Sequence, residues 1–176
     1  LFAVLSEVPF DLMYGGTVFY PVHQNVIWTL LLGLLGIRLM EAARAKGKRW
    51  LYVLTCAAVV VLGFALGTLG MVDYYGAGVL TVFAFYFFRE RKWWCLLGQL
   101  AALYWLNVVV LGGQMYPVTL FGREIELCEQ GLALLALVPI WLYRGRQGHH
   151  SKAFQYACYA FYPVHMLILG LIQLSL

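Results

Sequence analysis

Gln155–Gly170 reads QYACYAFYPVHMLILG, an apolar run with a proline, Pro163, and a histidine, His165, near its middle. A run of this kind is a membrane-span candidate. An ionisable side chain inside one costs about 2.5–3.5 kcal/mol on insertion scales, so it marks a functional-site candidate. The pentapeptide FYPVH occurs a second time, at Phe19–His23. Composition carries the reading to the whole chain. It is 63% hydrophobic and 11% charged, with a mean hydropathy of +0.80, against roughly 25% charged residues in a soluble domain. A chain of 176 residues cannot bury that much apolar surface in water, so the class is a polytopic membrane protein. The cysteines Cys56, Cys95, Cys128 and Cys158 lie in or against apolar runs without metal-ligand spacing. They read as small packing residues rather than a disulfide framework.

The predicted fold is all-α: a membrane helical bundle of about six complete transmembrane helices plus the end of an earlier one. Leu1–Ser6 reads as the last turns of a helix begun upstream, because Leu1 lies inside an apolar run with no signal-peptide features before it. Residues 1–176 are thus expected to form one transmembrane domain, the C-terminal part of a longer protein. Pro9 and Gly15-Gly16 are expected to break any helix after Glu7, leaving a loop to Gln24 with Asn25 as a cap. The expected spans are Asn25–Glu41, Trp50–Gly70, Tyr74–Phe88, Trp93–Leu111, Glu126–Tyr143 and Ala153–Leu174, each near the ~20 residues that cross ~30 Å of hydrocarbon. A loop containing glycine and proline is expected from the fourth span to Arg123.

Charge sets the orientation. Arg38, Arg44, Lys46, Lys48, Arg49, Arg89, Arg91, Lys92, Arg144, Arg146 and Lys152 fall in or beside the loops after the first, third and fifth spans, and the other side holds only Arg123. By the positive-inside rule the basic loops are cytoplasmic. Glu7, Asp11, Asp73, Glu124, Glu126 and Glu129 then collect at the outer side.

His165 lies about twelve residues, or ~18 Å, from the inner end of the last span, in the outer half of the membrane. Glu7, His23, Gln24, Asn107 and Glu129 share that slab. Carboxylates, amides and two imidazoles at one depth suit proton transfer. Each also has a structural reading. His165 can bond the carbonyl that Pro163 frees by leaving its i−4 acceptor unpaired, His23 can be an interfacial loop residue, and Glu7 can cap a helix or pair with Arg123. Asn107 and Gln99 can be interhelical glue. Gly33, Gly36, Gly63 and Gly67 suit close helix packing, and His149-His150 suits a solvated loop.

Four blocks together resemble one family: LSEVPFDL at Leu5–Leu12, HQNVIWTLLLGLLG at His23–Gly36, YGAGVLTVFAFYFFR at Tyr75–Arg89 and AFYPVHMLIL at Ala160–Leu169. They are similar to the TraX family, named for a conjugative-transfer protein that N-acetylates F-type pilin, and to integral-membrane acyltransferases more broadly. Family members typically begin with further spans bearing an Asp-His pair and an Arg-containing helix, which this chain lacks. The resemblance implies a multi-pass protein of the bacterial inner membrane that moves an acetyl or acyl group from acetyl-CoA to an amine or hydroxyl. The implied partners are the lipid bilayer, the acyl-CoA donor and a protein, glycan or lipid acceptor, with no nucleic acid and no metal. On that reading His23 or His165 is the base and Glu7 orients the imidazole. Gln24, Asn25 and Tyr162 are candidate donors to an oxyanion, and Arg38 suits the phosphates of CoA. Two other classes remain: a proton-coupled transporter, since His and Glu in a proline-broken helix also serve transport, and a non-catalytic component of a conjugation or secretion assembly.

Overall fold

Asn25 opens the first long helix: its side chain accepts the Ile27 N–H at 3.0 Å and so caps α3, Val26–Ala45. In the computed structural model, which describes residues 1–120, 122–143, 145, 146, 148 and 151–175, this helix is preceded by α1 (Phe2–Leu5) and α2 (Glu7–Gly15). It is followed by α4 (Arg49–Leu69), α5 (Tyr75–Phe87) and α6 (Trp93–Tyr104), the last continuing as a π-helical stretch, Trp105–Leu111. Strands β1 (Met115–Leu120) and β2 (Arg123–Cys128) come next, then a 3-10 stretch, Glu129–Ala136, α7 (Leu137–Leu142) and α8 (Lys152–Ser175). Arg144 and the His149-His150 pair lie outside the described residues.

Among the described residues, four helices are long and apolar enough to cross a membrane: Val26–Ala45, Arg49–Leu69, Trp93–Leu111 and Lys152–Ser175. The protein is a multi-pass membrane protein, mostly helical. The other two expected spans differ. Tyr75–Phe87 has 13 residues, about 20 Å of helix. It is bounded by left-handed residues at Tyr74 and Tyr75 and by the charged run from Arg89. Within the expected span Glu126–Tyr143, Glu126–Cys128 belong to a strand, and the rest splits into 3-10 and α segments. Pro139 has no N–H to carry an α-helical ladder through that region. The fold is also not purely helical, because β1 and β2 pair antiparallel from Met115↔Cys128 to Leu120↔Arg123. Their residues alternate, with Glu124 and Glu126 on one side of the pleat and Ile125 and Leu127 on the other.

Pro9 does not break α2. It stands in the first turn, where its missing N–H would have had no partner. Gly16, at φ 66°, ends the helix in the left-handed conformation. Glu7 therefore sits on a helix rather than in a loop.

The core lies where α3, α4 and α5 meet, around Met40, Val59, Val79, Phe83 and Tyr86. Glycines let the helices approach. A Cβ on Gly36 would come within 2.6 Å of the Phe83 ring, and one on Gly63 within 2.7 Å of it. Between membrane helices, where lipid competes equally for apolar surface, this close fit supplies much of the association energy. The inner end is closed by Glu41, which accepts from the Tyr86 hydroxyl at 2.7 Å and from Arg89 at 3.2 Å. On the far side of α5, Gln99 joins two elements: it donates to Phe88 O at 2.9 Å and accepts from the Trp141 indole at 2.6 Å. α8 packs along α2 in the same direction, with Tyr159 against Phe2 and Gly170 against Leu12 and Met13.

Candidate functional site

The start of α3, the buried face of α2 and the middle of α8 converge at one end of the bundle, away from Glu41. Asn25, fully buried, donates to Ala3 O at 2.8 Å and to Glu7 Oε2. The same carboxylate oxygen accepts the Trp28 indole N–H at 2.8 Å. Glu7 is thereby fixed through one oxygen, and its other oxygen, Oε1, is buried without a partner. One helical turn on, Asp11 is 2% exposed; its Oδ2 accepts the Tyr20 N–H at 3.0 Å and its Oδ1 is likewise unpartnered. Ser6 Oγ and Tyr162 Oη complete the set of buried, unpartnered side-chain polar atoms among the described residues. Tyr162 comes from α8 and lies in the neighbourhood of Val26 at the start of α3, of Glu7 and of Asp73. Buried polar groups are nearly always satisfied. The four exceptions lie along one seam, between α1–α2 and α8.

His23 lies beside this seam, 7% exposed, with Tyr14 stacked on it at 4.8 Å, Phe10 at 5.8 Å and Tyr75 edge-on at 5.6 Å. Its Nε2 meets Asp73 Oδ1 at 3.4 Å. In the tautomer with the proton on Nε2, Asp73 accepts it and Nδ1 is free to take another. Burial raises the Asp73 carboxyl above the ordinary carboxylate range, and the hydrogen bond from His23 opposes that rise.

The loop that presents Asp73 is held unusually. Met71, Tyr74 and Tyr75 all have positive φ, 49°, 60° and 50°, a conformation costing non-glycine residues on the order of 1–3 kcal/mol each. Two contacts from the α3 side hold it there. The Gln24 N–H donates to Met71 O at 2.9 Å, and the Thr29 hydroxyl donates to Asp73 O at 2.7 Å.

Of the residues expected from sequence, Glu7, His23, Asn25 and Tyr162 come together here. The partner of the His23 imidazole is Asp73, not Glu7, because Glu7 is taken up by Asn25 and Trp28. Gln24 turns its side chain to Pro21 O at 3.3 Å. Arg38 is exposed on α3 and makes no ion pair among the described residues. His165, half-buried, bonds Phe161 O through Nδ1 at 2.8 Å and packs on Phe161 and Tyr162, so its contacts stay within α8. Asp73 and Trp28 were not expected as site members. Asp73 had only its outer-side position to recommend it, and Trp28 nothing beyond an indole N–H one turn into α3. Among the described residues no three His, Cys, Asp or Glu side chains group as a metal site would require.

Comparison with curated proteins and with solved structures gave no match. A family model described as TraX protein matches residues 1–173, nearly the entire chain, and the chain accordingly belongs to the TraX family.

Proposed function

We propose that the protein is an acyltransferase of the bacterial inner membrane, moving an acetyl or acyl group from acyl-CoA to an amine or hydroxyl acceptor, as the family's namesake does on pilin. The observation that carries this reading is the His23–Asp73 pair, its imidazole buried and its carboxylate half-buried, next to a seam of unpartnered polar atoms. In the reaction, His23 Nδ1 takes a proton from the acceptor as its nitrogen or oxygen attacks the thioester carbonyl. Asp73 holds the imidazole and stabilises the imidazolium as a positioning residue. Of the unpartnered atoms along the seam, the Ser6 and Tyr162 hydroxyls are the ones that can donate to the tetrahedral oxyanion. Collapse breaks the C–S bond, and the leaving thiolate takes the proton back from His23. Six crossings fit this chemistry if α5 and the Glu129–Leu142 segment pass through a membrane thinned around them. Arg89 at the foot of α5 and Asp73 at its head support that course.

The test is thioester turnover by full-length protein in detergent, following free CoA release from acetyl-CoA with the acceptor varied. His23→Ala should reduce turnover by about 10²–10⁴-fold, Asp73→Asn by less, and His165→Ala by under about tenfold because its bonds lie within α8. Undiminished turnover in His23→Ala would remove His23 from the chemistry. Absence of any turnover in the unaltered, folded protein would remove the acyltransferase reading itself.

A further inference from the structure

An apolar slot of about 330 Å³ runs down the other face of α5, walled by α3, α5, α6 with its π-helical extension, and the 129–142 segment. Tyr74 and Gln130 stand at its outer end, Phe85 and Ile140 at its inner end. Along α5 that is eleven residues, about 17 Å. The slot is apolar partly because its polar side chains turn back on the backbone. Thr29 bonds Asp73 O, Thr81 bonds Ala77 O at 2.9 Å, and Asn107 Nδ2 bonds Leu103 O at 2.9 Å. Asn107 Oδ1 and the Gln130 amide have no partner among the described residues. An apolar slot with two amide groups spaced along it suits a slender chain carrying few amides of its own.

Both ends of the slot lead somewhere. At the outer end, Thr29 bonds the backbone of the residue whose carboxylate holds His23. At the inner end, Ile140 is also a wall of a second cavity, about 230 Å³, lined by Arg89, Arg91, Gln99 and Trp141. Arg44, Arg89, Arg91 and Lys92 gather at this mouth against Glu41 and Glu90, leaving positive charge in excess. The Gln99–Trp141 hydrogen bond stands where the two cavities meet.

We infer that the acyl donor enters from the basic, cytoplasmic face, with its phosphates at the Arg89–Lys92 mouth and its pantetheine arm in the slot, so that the thioester arrives at the Thr29–Asp73 end. This rests on the acyltransferase reading. It accounts for how a donor made in the cytosol reaches a base in the outer half of the membrane. The anionic head and the sparsely polar arm match the charge at the mouth and the lining of the slot, in that order.

The experiment uses the full-length protein and three probes. A photoreactive benzophenone thioether of CoA should label peptides from residues 75–87 and 129–142, and excess CoA should suppress the labelling. Ala133→Cys, a small change in the slot wall, should be shielded from a small thiol reagent by CoA. Adenosine 3′,5′-bisphosphate, which has no arm, should compete for turnover without shielding it. Ala133→Trp should lower kcat/KM for acetyl-CoA at least about tenfold. Label confined to α2 or α8, a cysteine at 133 shielded equally by lipid without CoA, or unchanged kcat/KM in Ala133→Trp would each overturn the route. Those outcomes leave wild-type turnover standing, whereas a wild type without turnover would sink the activity and the route together.

Discussion

Gly76→Ala is the sharpest single test of how the site is positioned. A Cβ at this position would come 2.5 Å from Phe64 O and 2.8 Å from Thr68 Oγ1. Carbon–oxygen contacts settle at about 3.3–3.6 Å, so α4 and α5 must part by the better part of an ångström. The Phe64 ring carbon Cδ2 stands at the same 2.5 Å, and unlike that ring the backbone carbonyl cannot rotate away. Overpacking costs about 1–3 kcal/mol, and a backbone obstacle puts this substitution at about 2–3 kcal/mol. Gly76 lies three residues after Asp73, whose contact with His23 is already 3.4 Å, so the same shift should also part that pair. The assay is reversible unfolding in mixed micelles with a rising fraction of denaturing detergent, read by tryptophan fluorescence. Gly131→Ala is the control, since its Cβ would meet Val108 at 3.5 Å, an ordinary contact, and should cost no more than about 0.5 kcal/mol. Equal stability of the two variants would refute the close approach of α4 and α5 as the device that seats Asp73.

Two further outcomes follow from the hydrogen bonds. Asn25→Ala removes the α3 cap and strips Ala3 O and Glu7 of a donor, which should cost about 2–4 kcal/mol in the same unfolding assay. A loss below 1 kcal/mol would mean that water replaces all three bonds. Asp73 gives a pH dependence. Its carboxyl is raised in the folded protein, chiefly by burial, so folding favours the protonated form. The stability it contributes is present in acid and is lost as pH rises from about 4 through the raised value. Asp73→Asn should flatten this part of the profile of thermal midpoint against pH, and an unchanged slope would assign the effect to another group.

The long spans were legible because length and hydropathy leave few alternatives to a helix. The hairpin was not read, although Glu124-Ile125-Glu126-Leu127 alternates with period two. Averaging over a span-length window merges such a short alternation with the apolar stretch after it. Of the candidate site, Glu7 and His23 were legible as ionisable residues beside the first long span, and Asn25 as its cap. The choice of Asp73 over Glu7 as the partner of His23 was not. That pairing spans fifty residues of chain, and it depends on a loop whose left-handed residues are Met71, Tyr74 and Tyr75 rather than glycines. Nothing in those letters announces the turn. Pro9 misled for a related reason, since its effect depends on where the first turn begins, which Ser6 decides.

The seam between α2 and α8 also has a consequence for how the protein is made. Tyr162, which completes the surroundings of Glu7, leaves the ribosome about 155 residues after it. At roughly 5–20 residues per second that interval is on the order of 8–30 s. The bundle of α3, α4 and α5 can assemble within it, but the seam with its unpartnered oxygens has no lid until α8 is inserted. The seam therefore closes only with α8, and a nascent chain halted before it can be lodged in the bilayer with α3, α4 and α5 packed and the seam open.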